Sequence, residues 1–393
     1  MHKNNRFFVV IGAIMIQICL GAIYSWSLYN QPLADKYGWD KDAIVMAYSI
    51  AIFVFAFTTI FSGRLYDKIG PKKVATIGGV LYGTGMILSA FATELWMLYI
   101  TYGVLAGIGV GFAYVSPLST CVKWFPHHKG FITGIAVGAF GSGSFVFKTL
   151  IEIFLQSVGV TQTFIYLGVI FMVLVVCGAS LMKLPNTSSK MTTKQTSMDM
   201  SSLEMIKTSR FYYLWIMYLL GSMPGLLVIG LAKDIGLELV GLSPAVAASA
   251  VSIIALFNAG GRLICGTISD KLGRINVIIV IFIITIAALL TKALIPLNQT
   301  LYYICLIGVA FSFGGFLSVF PAITSELFGV KNLGANYGII FQAYGISALI
   351  GPIIKSFSTG YTQTFLIGAG FGVAGLFLTL LLRKHLSDRN LLI

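Results

Sequence analysis

Apolar positions in this chain do not alternate with polar ones. They run on in blocks. Twelve stretches lie at 7–29, 43–62, 73–92, 95–118, 130–154, 162–182, 210–232, 244–268, 275–294, 299–325, 334–356 and 361–382. A helix needs about 20 apolar residues to cross a bilayer, and a lone helix satisfies its own backbone there. Short polar breaks separate most of the blocks. The exception is 183–209, rich in Ser, Thr, Met and Lys, which divides the spans six and six. It reads as a flexible linker. The pattern predicts an all-α integral membrane protein with twelve spans: a six-helix half at 1–182, a linker at 183–209 and a second six-helix half at 210–393.

Composition agrees. The chain is 57% hydrophobic and 10% charged, against roughly 25% charged residues in soluble domains. The net charge of +13 is not a nucleic-acid signal, because the basic residues sit in short loops between apolar runs. Arg64, Lys68, Lys72, Lys73, Lys123, Lys129, Lys183, Lys271, Arg274, Lys331, Arg383 and Lys384 fall on one side with both termini. The other side holds little beyond Lys36, Lys41 and Lys233. An excess of Lys and Arg marks the cytoplasmic side, so both termini are expected there, in a multi-pass cell-membrane protein. The first apolar run lacks a small-residue cleavage site and reads as a membrane helix, not a signal peptide. Cysteines at 19, 121, 177, 265 and 305 show no metal spacing and read as small apolar core residues. No metal site and no cofactor are expected.

The halves echo each other. Gly63, Asp67, Lys68 and Gly70 follow the second span; Gly266, Asp270, Lys271, Gly273 and Arg274 follow the eighth, with the aspartates 203 positions apart. Gly130, Gly134 and Gly141 recur 204 positions later as Gly334, Gly338 and Gly345. A duplicated six-helix unit points to a transporter with its site between the repeats. The motif around Asp67 and its copy around Asp270 resembles the signature of the major facilitator superfamily, although Pro71 stands where a basic residue is usual. The resemblance implies a two-half fold working by alternating access. It gives the motif residues a gating role, in which Asp67 with loop cations and helix ends holds one state closed.

A finer resemblance covers nearly the whole chain. Tyr24 and Trp26 within Gly21–Ser27, Tyr114 through Pro117, Lys123 through Pro126, Asn258 through Arg262, Phe320-Pro321 and Asn336-Tyr337-Gly338 are similar to the oxalate/formate antiporter family, itself related to the monocarboxylate transporters. The family's helix-eight arginine falls on Arg262. The lysine that the oxalate carrier adds in helix eleven falls on Tyr344. The resemblance implies transport of small organic anions, with a proton or a counter-anion as coupling partner. Because the second cation is missing at 344, C1–C3 monocarboxylates such as pyruvate or lactate by proton symport come first, and oxalate/formate exchange is the alternative.

The residues themselves support an anion reading. An arginine deep in an apolar span is costly and faces a bundle interior or an aqueous cavity. Its planar fork suits a carboxylate. Asn258 shares its helix face, to orient it, to touch substrate or to join helices. Lys148 either pairs with Glu152 one turn on or serves as a second cation. Tyr24, Trp26, Tyr114, Tyr337 and Tyr344 are candidate substrate contacts, with core packing or lipid contact as the alternative. Asp234 and Glu152 are candidate coupling carboxylates, though Asp234 more readily pairs locally with Lys233. A membrane enzyme is not expected, for want of a nucleophile–base set. A sensor on the same fold would need an output domain that 183–209 is too short to supply. A monomer is expected.

Overall fold

The computed structural model describes residues 2–185, 199–358 and 360–388. They are almost wholly helical. The spans are α1 (His2–Gly21, resumed at Ser27–Tyr37), α2 (Lys41–Ile69), α3 (Pro71–Ser89) and α4 (Leu95–Leu98 through Gly107–Trp124). One helical run, Lys129–Ser180, breaks at Gly159, where φ is +76°, and so supplies two spans, α5 before the break and α6 after it. Then come α7 (Ser209–Glu238), α8 (Pro244–Leu272), α9 (Arg274–Leu294), α10 (Gln299–Phe328), α11 (Leu333–Ile340 and Gln342–Phe357) and α12 (Tyr361–Ser387). The twelve-helix expectation is met.

Three spans depart from simple helices. α1 ends at Gly21, passes through a 3-10 turn at Ala22–Ser25 and resumes at Ser27. α4 contains a wide π turn at Tyr99–Ala106. α11 is interrupted at Phe341. Such breaks inside spans often mark functional positions, and Tyr24 sits on the first.

Phe61, Phe91, Phe145, Leu256, Leu294 and Phe377 are each more than half exposed. A water-soluble monomer does not show so much apolar surface; a lipid-facing exterior does. Inside, glycines let helices touch closely.

The chain forms two compact units whose borders do not follow the linker. The first comprises 1–127, 142–202 and 328–345; the second comprises 128–141, 203–327 and 346–393. The opening of α5 thus packs with α8 in the second unit, and the opening of α11 packs with α2 in the first. The echoed glycines account for this. A Cβ on Gly130 would lie 2.1 Å from the Gly266 carbonyl oxygen, and one on Gly338 would lie 2.3 Å from the Thr59 oxygen. The described end of the 183–209 segment is anchored within the first unit. Met200 N donates to the Phe328 carbonyl at 3.0 Å, and the Asn332 and Asn336 amides donate to the Met200 carbonyl at 3.1 and 3.0 Å. Ser202–Ile206 is a short helix.

Candidate functional site

In the second unit, Arg262 is 1% exposed in the middle of α8. Nε donates to Asn258 Oδ1 at 2.6 Å, one turn earlier on the same face. Nη1 donates to the Val137 carbonyl of α5 at 2.7 Å. Phe140 sets its ring 5.7 Å from the guanidinium carbon. Nη2 has no hydrogen-bond partner. Both partners are neutral. Among the described residues no carboxylate lies within salt-bridge distance of Arg262. The charge is therefore buried, oriented and uncompensated, with a double donor in reserve. Asn258 takes the orienting role that its spacing allowed. Val137 and Phe140 were not legible beforehand, because a backbone carbonyl has no residue-type signature and one phenylalanine among 29 has little.

In the first unit, the Tyr24 and Tyr344 hydroxyls are 2.7 Å apart and share a hydrogen bond. Phe341 stacks on Tyr344 with ring centres 4.9 Å apart and on Tyr114 at 5.0 Å; Tyr337 lies 5.6 Å from Phe341 and Phe55 meets Tyr114 edge-on at 5.0 Å. Four candidate tyrosines thus share one aromatic group, with Phe55 and Phe341 as unforeseen members. Trp26 packs elsewhere, 4.1 Å from Tyr102 and 5.7 Å from Tyr29, with a buried Nε1 that has no partner. Residues two apart on a helical run do not share a face, so Tyr24 and Trp26 serve different clusters. Lys148 and Glu152 form the i,i+4 pair at 3.8 Å, both side chains more than two-fifths exposed. Glu238 accepts from the Tyr361 hydroxyl at 3.0 Å. The side chains of Lys233 and Asp234 lie outside the described residues.

The repeated motifs form two similar clasps, one in each unit. Asp270 accepts from Gly130 N at 2.9 Å and Phe131 N at 2.8 Å, at the opening of α5, and pairs with Arg274 at 2.5 Å. Arg274 also meets Glu326 at 2.8 Å. Asp67 accepts from Ala335 N at 3.3 Å, at the opening of α11, and faces Lys123 at 3.7 Å. A carboxylate on the first N–H groups of a helix meets the positive end of its dipole. Gly70 and Gly273 follow each motif with φ of +86° and +85°, a conformation that favours glycine. Lys68 and Lys271 are exposed. No cluster suited to a metal occurs among the described residues.

Twelve spans, a duplicated loop motif and a buried cation with no acid beside it among the described residues are the features of a membrane carrier. The chain belongs to the Major Facilitator Superfamily, whose profile matches residues 7–352. Within it, the chain is similar to an uncharacterized MFS-type transporter, YhjX of Escherichia coli K12 (36% identity, covering 88% of this chain and 87% of that one). It is also similar to the oxalate:formate antiporter of Oxalobacter formigenes (30% identity, 93% and 88%). Monocarboxylate transporter 13 of Rattus norvegicus is 25% identical over 83% of this chain and 77% of its own. Among solved structures, the proton:xylose symporter XylE superposes with a TM-score of 0.78 at 14% identity, covering 96% and 95% of the two chains, which shows the shared fold. The protein is a transporter and not an enzyme.

Proposed function

We propose that the protein carries C1–C3 monocarboxylates, such as pyruvate or lactate, across the cell membrane by proton-coupled alternating access, with both termini cytoplasmic. One observation carries this reading: Arg262 is buried against an amide oxygen, a carbonyl and the Phe140 ring, with no carboxylate in reach among the described residues and no partner on Nη2. A buried charge without a counter-charge costs several kcal/mol, roughly. A carboxylate cargo on Nη2 offsets that cost and is recognised by it. Tyr24, Tyr114, Tyr337 and Tyr344 are the proposed hydroxyl contributors, and Asp234 or Glu152 the proposed proton carriers. Relatives named as an oxalate:formate antiporter and as monocarboxylate transporters agree with a carboxylate cargo.

Oxalate/formate exchange is the second reading, and it needs a second cation. Lys148 is the candidate, but its charge already faces Glu152, which favours a monoanion. The test is a counterflow panel in proteoliposomes with labelled formate, lactate, pyruvate and oxalate, with and without a pH gradient. Lactate or pyruvate uptake stimulated by an inward proton gradient is expected. Oxalate-for-formate exchange lost in Lys148→Ala establishes the second reading instead. Transport of none of the four refutes both.

A further inference from the structure

Arg262 lies along the opening of α5, inside one compact unit. A Cβ placed on Gly141 would stand 3.0 Å from its Nε, 3.1 Å from Cζ and 3.2 Å from Cδ. One turn earlier, the Val137 carbonyl takes Nη1 at 2.7 Å. Phe140 backs the guanidinium at 5.7 Å. The helix offers the arginine a missing side chain, an acceptor and a ring.

The repeat shows what is particular to this copy. The counterpart of Arg262, 203 positions earlier, is Thr59. Its hydroxyl shares one proton between the Ala56 carbonyl of its own helix at 2.6 Å and the Gly338 carbonyl of α11 at 3.0 Å. The counterpart of Gly141, 204 positions later, is Gly345, whose Cβ would meet the Ala56 methyl at 2.4 Å. In one copy a short hydroxyl joins the helix pair. In the other a guanidinium joins it and keeps hydrogens in reserve.

We propose that Gly141 and the Val137 carbonyl are positioning groups for the cargo, holding Arg262 flat along α5 so that Nη2 is presented in one direction. This rests on the carboxylate role of Arg262. A guanidinium has five N–H donors in a fixed plane. Asn258 and Val137 take two of them from different directions, so the plane and the reserve donors are fixed before the anion arrives. Preorganised donors lose less freedom on binding. An added methyl at 141 pushes the group away from α5 by a few tenths of an ångström and stretches the Val137 bond. Because one bond joins α5 to the cargo arginine of α8, anion binding and the packing of these two helices are linked, and each strengthens the other.

The test is saturation uptake of labelled pyruvate and lactate by proteoliposomes holding full-length protein at matched amounts. Gly141→Ala should raise KM about threefold or more, since a charge-assisted donor shifted out of line loses part of its worth, with Vmax within about twofold. Gly138→Ala is the control, because the nearest atom to a Cβ there is the Ala259 oxygen at 3.7 Å, and its KM should stay within about twofold. A wild-type KM in Gly141→Ala, beside an impaired Arg262→Lys, overturns the positioning role and leaves the carboxylate site standing. Undiminished uptake in Arg262→Lys overturns both. If Gly141→Ala does not accumulate, Phe140→Leu takes its place. A KM raised about threefold is then expected from the lost cation–π contact, and an unchanged KM overturns the proposal.

Discussion

An arginine in a lipid-embedded bundle has to end its charge somewhere. The neighbours of Arg262 are arranged to aim it without ending it: Asn258 on Nε and Val137 on Nη1 are both uncharged. Arg262→Lys keeps the charge but loses the fork, so transport efficiency for pyruvate and lactate should fall about tenfold or more in the counterflow assay. Asn258→Ala leaves Nε without its acceptor. Hydrogen bonds to charged groups are worth about 1.5–3 kcal/mol, and water in the site recovers part of that, so the expected effect is a several-fold higher KM, smaller than that of the arginine change. An Asn258→Ala protein with wild-type KM would show that the amide only joins helices. At this scale the arginine and its amide were legible from type and spacing: a guanidinium in an apolar run, an amide one turn before. The bed beneath them was legible only in part: Gly141 stood out as an echoed glycine, but nothing in the sequence says that the arginine lies against it, and a carbonyl oxygen has no residue type. Trp26 packs apart from Tyr24, against Tyr102 and Tyr29, because residues two apart on a helical run do not share a face.

The clasps belong to pairs of helices. Asp270 holds the opening of α5 through two backbone N–H groups at 2.8–2.9 Å and is itself fixed by Arg274. Asp67 holds the opening of α11 through one at 3.3 Å. The geometry ranks them. Asp270→Asn should loosen α5 from α8 more than Asp67→Asn loosens α11 from α2. Spin-label distances across each pair check this: the short-distance population should fall further in Asp270→Asn, and the reverse order would sink the ranking. Sterics make a second expectation. A methyl on Gly63 would sit 2.0 Å from the Gly334 oxygen, and overpacking of this kind costs about 1–3 kcal/mol. Gly63→Ala should therefore shift the α2/α11 distance distribution to longer values, and an unchanged distribution would contradict the role given to that contact. Spans and glycine echoes were legible because long apolar runs and a fixed offset survive without coordinates. The breaks in α1, α4 and α11 were not, since no proline falls on them and Gly21 and Gly103 are two glycines among 43. The polar stretch before α7 read as a flexible linker; its last residues are instead tied down by Asn332 and Asn336.

For the molecule as a whole, a lipid-facing exterior, a buried cation and two clasps built from one duplicated unit fit a carrier that opens to one side at a time. The fold class came from run length, and the family from the motif around Asp67 and its copy. Substrate identity and coupling are less legible: in the proposed account they depend on a handful of donors and on one carboxylate, Asp234 or Glu152, whose protonation no pattern of residue types records. If Asp234 carries the proton, Asp234→Asn should retain exchange of labelled for unlabelled lactate and lose its stimulation by a pH gradient; stimulation that persists would move the role to another group. All of this depends on Arg262 being neutralised by what is carried. That is decided by concentration-dependent uptake of labelled pyruvate and lactate in proteoliposomes of the wild-type protein and of Arg262→Gln. Saturable uptake is expected in the first, with a loss of at least about 30-fold in kcat/KM in the second, the scale of removing one partner of a buried charge pair. Equal uptake by the two proteins would contradict the assignment.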